Sequence, residues 1–251
     1  MSKSKPCELP EVSTSELDGV RYLHLGTEWV QGSMEIKKPF AIELDYVQRM
    51  MAWLLWTDLN DLAPLHSMQL GLGSAALTKF CYKHLRCRTT AIEINPDVIS
   101  ACKAWFKLPE NDVRLSVLLA DAGAEIARFE RLATVDALQV DLYDHEAAAP
   151  VLDSIAFYKD CRASLTEQGV MTVNLFGRMA SYDKSVEKIC KAFGAENVWA
   201  FKPTREGNAI VLAHRSPRFE TRAKLAQNAE TIFARFGLPA HKWLRIFKPV
   251  T

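Results

Sequence analysis

No stretch of this 251-residue chain approaches the roughly 20 consecutive apolar residues that a helix needs to cross a bilayer. The opening residues, Met1-Ser-Lys-Ser-Lys-Pro-Cys7, carry two lysines with no apolar run behind them, so no secretory leader is expected and the cytoplasm is the expected location. An excess of either charge is missing as well. Lys plus Arg number 31 and Asp plus Glu 30, and a net charge of +1 gives no electrostatic reason to expect nucleic acid or membrane as a partner. A small molecule is the expected partner. The six cysteines (Cys7, Cys81, Cys87, Cys102, Cys161, Cys190) contain no Cys-x-x-Cys pair, and His24, His66, His84, His214 and His241 have no ligand spacing among them, so no metal site is expected. The thiols read as reduced small hydrophobes. Repeats and low-complexity segments are absent.

What is present is enough apolar residue, 49%, to bury a sizeable core. Residues 1–17 are polar, with Pro6, Pro10 and a Ser-Thr-Ser cluster, and read as a mobile arm. Residues 19–25 and 28–36 read as two short strands around a turn at Gly26. Over residues 43–59, Leu44, Val47, Met50, Met51, Leu54 and Leu55 form an i, i+3, i+4 stripe, which predicts a helix packed on a core with Trp53 and Trp56 inside it. From Ser67 onward strand and helix patterns alternate, predicting an α/β fold with a mostly parallel sheet. Helices are expected over 95–106, 157–165, 181–192 and 218–236, and late strands over 170–176, 197–201 and 209–214, with the last two antiparallel. The expected division is an arm, hairpin and helix over 1–60 and a catalytic domain over 61–251. The basic stretch Lys202, Arg205, Arg215, Arg218, Arg222 and Lys224 is interrupted by Glu206 and Glu220 and reads as a solvated face.

The chemistry is concentrated at strand ends. The strand at 68–70 runs into Gly71-Leu72-Gly73, that at 89–92 ends at Glu93, that at 115–120 at Asp121, and that at 135–140 at Asp141, with Asp144 three residues on. In an open α/β sheet such ends line one crevice. Glycine lets the backbone approach a ligand closely. Gly71-Leu-Gly73-Ser-Ala-Ala76 satisfies the G-x-G-x-x-A fingerprint, with Glu93 placed to accept from ribose hydroxyls. Asp121-Ala122 is placed for an exocyclic adenine amine and the ring nitrogen beside it, although Asp121 is equally suited to cap the next helix. The Gly turn holds no basic residue for phosphate, and an acidic crevice suits a sulfonium cation, so S-adenosyl chemistry is favoured over NAD.

The order Gly71-Leu-Gly73, Ala91-Ile-Glu93-Ile-Asn95-Pro96-Asp97, Ala120-Asp121-Ala122, Val140-Asp141-Leu-Tyr-Asp144, Phe157-Tyr158 and Gln168-Gly169-Val170 resembles the spermidine/spermine synthase family of polyamine aminopropyltransferases. The resemblance spans about residues 20–180 and implies a class I methyltransferase-like (Rossmann-like) sheet with a small N-terminal β element. It implies transfer of an aminopropyl group from decarboxylated S-adenosylmethionine to an amine such as putrescine, in a homo-oligomer, often a dimer. It further implies Asp141 as base, Asp144 as amine ligand and Tyr46 as a positioning group, with Gly71, Gly73, Ser74, Glu93, Asp121, Ala122 and Gln31 around the cofactor.

The chain also departs from the family. Ser74 stands where the family's Gly-rich loop has an Asp, Val47-Gln48 follows Tyr46 where His or Gln and then Glu are usual, and His145 replaces a proline after Asp144. An S-adenosylmethionine-dependent methyltransferase and a non-catalytic nucleoside-binding homologue remain as alternatives on the same fold.

Overall fold

In the computed structural model, which describes residues 9–143, 150–177 and 181–250, two sheets organise the chain. The smaller is a three-stranded antiparallel meander, β1 (Val12–Leu17), β2 (Val20–Leu25) and β3 (Val30–Glu35). Its first strand falls inside the stretch expected to be a mobile arm. The reason is the turn: Asp18 and Gly19 both adopt positive φ, 51° and 78°, the geometry of a two-residue hairpin whose twist matches its strands. Val12 to Leu17 then pair one to one with Leu25 to Val20.

The larger sheet has eight strands in the order β11-β9-β10-β8-β7-β4-β5-β6. These are β4 (His66–Leu70), β5 (Arg88–Glu93), β6 (Leu115–Leu119), β7 (Val135–Val140), β8 (Leu165–Phe176), β9 (Val198–Phe201), β10 (Asn208–His214) and β11 (Phe247–Pro249). β4 to β8 are parallel, and β8, β10, β9 and β11 pair antiparallel. β11 had no sequence signal, because Phe247-Lys-Pro carries only three residues and one buried side chain. The central strands β4 and β7 are buried on both faces over most of their length, as crossover helices require, whereas the edge strand β6 leaves Leu119 exposed. The helices include α1 (Asp45–Arg49), α2 (Ala76–Phe80), α3 (Pro96–Trp105), α4 (Ala122–Ile126), α5 (Ile155–Ser164), α6 (Tyr182–Phe193), α7 (Arg222–Phe236) and α8 (Ala240–Trp243). Asn95, Asp121, Ser154 and Thr221 accept backbone N–H bonds at the starts of α3, α4, α5 and α7.

The helix expected over 43–59 is short. After α1 the chain tightens into a 3₁₀ segment, Met50–Trp56, in which all seven side chains are buried. An apolar residue at every position removes the solvent face that an amphipathic α-helix presents. Its carbonyls are taken by donors from elsewhere: Thr172 Oγ1 at 2.9 Å on Met50, Asn228 Nδ2 at 2.8 Å on Leu55 and Arg218 Nη1 at 2.9 Å on Trp56. Arg218 and Arg215, expected on a solvated face, are therefore partly buried; Arg215 donates to the carbonyls of Ala163 and Leu165.

Candidate active site

The chain fills β4, β5 and β6 outward to one side, then returns to β7 and β8 on the other, so the order reverses between β4 and β7. A cavity of about 630 Å³ opens at that reversal, outside the carboxyl ends of the parallel strands. Its floor is a close backbone crossing. Gly71 N–H donates to Ile92 O at 2.9 Å and Asp141 N–H to Leu70 O at 2.9 Å. Gly71 sits at φ +91°, and a Cβ there would lie 2.2 Å from the Asp141 carbonyl oxygen, so this residue has to be glycine.

Gln31, Tyr46, Gly71, Gly73, Glu93, Asp121, Ala122 and Asp141 all line the cavity. Glu93 ends β5 and accepts from Leu72 N–H at 3.0 Å and Asn95 N–H at 2.9 Å, so one carboxylate ties the Gly turn to the start of α3. Burial pushes its carboxyl up from the usual range, and those backbone N–H bonds work against the shift. Asp121 caps α4 through Ala124 N–H at 2.7 Å while remaining exposed to the cavity. Gln31 brings a buried amide nitrogen that has no hydrogen-bond partner among the described residues.

Ser74 lies elsewhere. It is 2% exposed, its Oγ donates to the Ser33 carbonyl at 3.0 Å, and it borders an adjoining pocket of only about 20 Å³ rather than the cavity itself. The Cβ that a side chain would add at Gly32 falls 2.6 Å from Ser74 Oγ, so β3 is pressed directly onto the Gly turn. Ser74 thus joins the small sheet to the large one. Asp144 and His145 lie outside the described residues.

Asp141 is the most constrained acid. Asn174 Nδ2 donates to its Oδ1 at 2.9 Å, and the Tyr46 hydroxyl donates to it as well. Burial pushes its carboxyl up to about 6, and the two hydrogen bonds pull the other way. Burial and the neighbouring Asp141 charge push the Tyr46 phenol well above its ordinary value, so it stays a neutral donor. Behind Asn174, Asn208 Nδ2 donates to Asn174 Oδ1 at 3.1 Å, and Tyr143 Oη donates to the Asn174 carbonyl at 3.2 Å.

Sequence reasoning did not single out Asn174, Asn208 or Tyr143. A usable signal was Asn174 itself: a lone amide in a buried strand has to find partners. It also did not single out the remaining acids. Glu28, Glu43, Asp45 and Glu206 line the cavity with Glu93, Asp121 and Asp141, whereas no Lys, Arg or His does among the described residues. One of these acids, Asp45, is paired with Arg49 at 2.6 Å. A concave, low-dielectric surface of one sign concentrates ligands of the other. Such a lining favours cationic ligands over anionic ones.

A family model described as "Spermine/spermidine synthase domain" matches residues 74–222. A polyamine aminopropyltransferase from Neisseria meningitidis is 33% identical over 94% of this chain and 88% of its own length. Among solved structures, a probable spermidine synthase from Corynebacterium glutamicum superposes with a TM-score of 0.75 at 16% identity, covering 94% of this chain and 90% of that one. Human methyltransferase-like protein 13, solved in complex with SAH, gives 0.69 at 21% identity over 78% and 93%.

Proposed function

The chain belongs to the spermine/spermidine synthase family and is a transferase, and from that premise we propose that it moves an aminopropyl group from decarboxylated S-adenosylmethionine to an amine such as putrescine. The observation that carries this reading is Asp141, held by Tyr46 and Asn174 at the floor of a cavity whose charged lining residues, among the described ones, are all acids. In the reaction, the neutral amine nitrogen attacks the carbon bound to the sulfonium. The C–N bond forms, the C–S bond breaks, sulfur keeps the electron pair as methylthioadenosine, and Asp141 takes the proton from nitrogen. A primary amine has a pKa of about 10.4, so holding it neutral at pH 7 costs on the order of 4 to 5 kcal/mol unless an acceptor is in place. A carboxylate pushed up to about 6 is a better acceptor than an ordinary one.

In this reading Glu93 keeps lone pairs for the ribose hydroxyls, Asp121 accepts from the adenine amine beside Ala122, and Gly71 and Gly73 let the backbone approach the nucleoside. Gln31 brings a donor without a partner among the described residues. Ser74 supports the Gly turn from behind. The experiment is direct: purified protein, decarboxylated S-adenosylmethionine and a panel of amines, with methylthioadenosine measured by chromatography. No product with any amine sinks the proposal.

Two further outcomes are expected. Asp141 has to be ionised to accept a proton, and its raised pKa means that it takes one up already near pH 6. The value of kcat/KM therefore falls as pH drops through about 6, where an ordinary aspartate would hold it level to about 4. A pH–rate profile with a flat limb at pH 6 removes Asp141 as base. Glu206 lines the cavity from the turn before β10, beside α1, and is available for the far ammonium of a diamine. Glu206→Gln is expected to raise KM for putrescine about tenfold, equal to about 1.4 kcal/mol, and to leave KM for a monoamine of similar length unchanged. Equal effects on both would show that Glu206 does not read the second charge.

A further inference from the structure

We propose that Asn174 and Asn208 form a positioning relay that keeps the proton-accepting face of Asp141 turned toward the cavity. The inference rests on the reading of Asp141 as base and names what holds that base in its reactive orientation.

The sheet register sets up the relay. β10 runs antiparallel to β8 with Ile210 opposite Asn174 and Asn208 opposite Phe176. Side chains two apart on a strand share a face, so Asn208 lies diagonally across from Asn174 on the same side of the sheet. Asn208 Nδ2 donates to Asn174 Oδ1 at 3.1 Å, and Asn174 Nδ2 donates to Asp141 Oδ1 at 2.9 Å. Both donors point one way, toward the carboxylate. Asn174 is 4% exposed, and a buried amide keeps the rotamer that satisfies both its ends. With its oxygen engaged by Asn208, it can present only N–H to Asp141. Flipping it would set its oxygen against the carboxylate and leave Asn208 without an acceptor.

This matters for where the proton goes. Oδ1 already accepts from Asn174, and the Tyr46 hydroxyl donates from α1. Neither group can accept a proton in that arrangement, so a proton arriving on Asp141 has to occupy a lone pair facing the cavity, where the amine stands. The groups facing Asp141 are few. They comprise Tyr46 from α1, Tyr143 following β7, and Asn174 from β8 with Asn208 behind it, while the Gly71–Gly73 turn brings no ionisable side chain and Glu206 lines the same cavity. The same face of β8 also sets Tyr46: Thr172, two residues before Asn174, holds the Met50 carbonyl four residues after Tyr46.

The test follows the titration of Asp141 itself by carboxyl-carbon NMR of enzyme labelled at aspartate, the resonance being identified by its loss in Asp141→Asn. In Asn174→Leu the midpoint is expected to rise by on the order of one pH unit, because a bond to the ionised form is gone. The acid limb of kcat/KM should move with it while KM for the nucleoside donor holds. Asn208→Ala should shift both in the same direction by less, and the double variant should match Asn174→Leu alone, because Asn208 acts only through Asn174. Lower kcat or stability with an unmoved midpoint overturns the proposal, as does an additive double variant. If Asn174→Leu fails to fold, Asn208→Ala, at a half-buried strand start, decides: an unmoved midpoint and limb overturn the relay. Absence of turnover with every amine would refute the reaction, and the NMR midpoints would still test the relay.

Discussion

Asp141→Asn is expected to lower kcat about a thousandfold, within the range of about 10²- to 10⁴-fold that a positioned general base contributes. The carboxamide has the same shape and still accepts from Asn174, yet it cannot take a proton from the attacking amine. Methylthioadenosine should bind it as it binds the unaltered protein, because Glu93 and Asp121 are untouched. Folding should not suffer either. A carboxyl whose folded-state pKa is raised destabilises the folded state above about pH 6, and that cost disappears as pH falls toward the ordinary value near 4. Replacing it by an uncharged group removes the cost at pH 7. The checks are single-turnover kinetics, calorimetry with methylthioadenosine and thermal melts at pH 7. Activity within tenfold of the unaltered protein, with binding intact, would assign the base elsewhere.

Gly71→Ala is expected to destabilise the fold by about 3 to 4 kcal/mol, at the top of the usual range for one substitution. A non-glycine residue in the left-handed region costs roughly 1 to 2 kcal/mol. The rest comes from contact: a Cβ at Gly71 would lie 2.2 Å from the Asp141 carbonyl oxygen, and both atoms belong to the crossing of β4 and β7, where neither strand can move without losing ladder bonds. Gly19 is the internal control. Its φ is +78°, but an added Cβ meets nothing within 4 Å, so Gly19→Ala carries only the conformational cost. Urea unfolding at pH 7 measures both, and a difference between the two variants below about 1 kcal/mol refutes the steric account. Because the obstructed oxygen belongs to the proposed base, the little Gly71→Ala that folds should also turn over slowly.

The alternation of strand and helix from Ser67 was legible because parallel strands and amphipathic helices carry different periods, and the central strands and α3, α5 and α6 fall close to where those periods place them. Their order then carried the family. Where the reading erred, a local cue was outweighed. Val12–Leu17 looked like an arm because its residues are polar and exposed, whereas the informative pair was Asp18-Gly19, whose positive φ values dictate a hairpin. Residues 50–56 looked like one face of a helix because leucines and methionines fell at helical spacing; Trp53 and Trp56 among them left no polar face, and the segment became buried and tightened. Within the site, strand-end acids could be found because strands end where the pattern ends. Glu28, Glu43 and Glu206 could not, since they reach the cavity from turns whose positions depend on how two sheets meet. Asn174 and Asn208 are 34 residues apart and are brought together only by an antiparallel register.

That every charged residue lining the cavity is an acid, among the described residues, bears on how a catalytic cycle would close. The proposed reaction would leave a neutral thioether and a polyamine that, once its new nitrogen is protonated again, carries three ammonium groups. The nucleoside half then has no charge to hold it, while the new polyamine carries one more positive charge than the diamine in solution and still faces Glu28, Glu43, Glu93, Asp121 and Glu206. Attraction that speeds the entry of the acceptor therefore slows the departure of the product. Turnover would be paced by release, and added salt, by screening those carboxylates, would raise kcat while weakening capture of the amine.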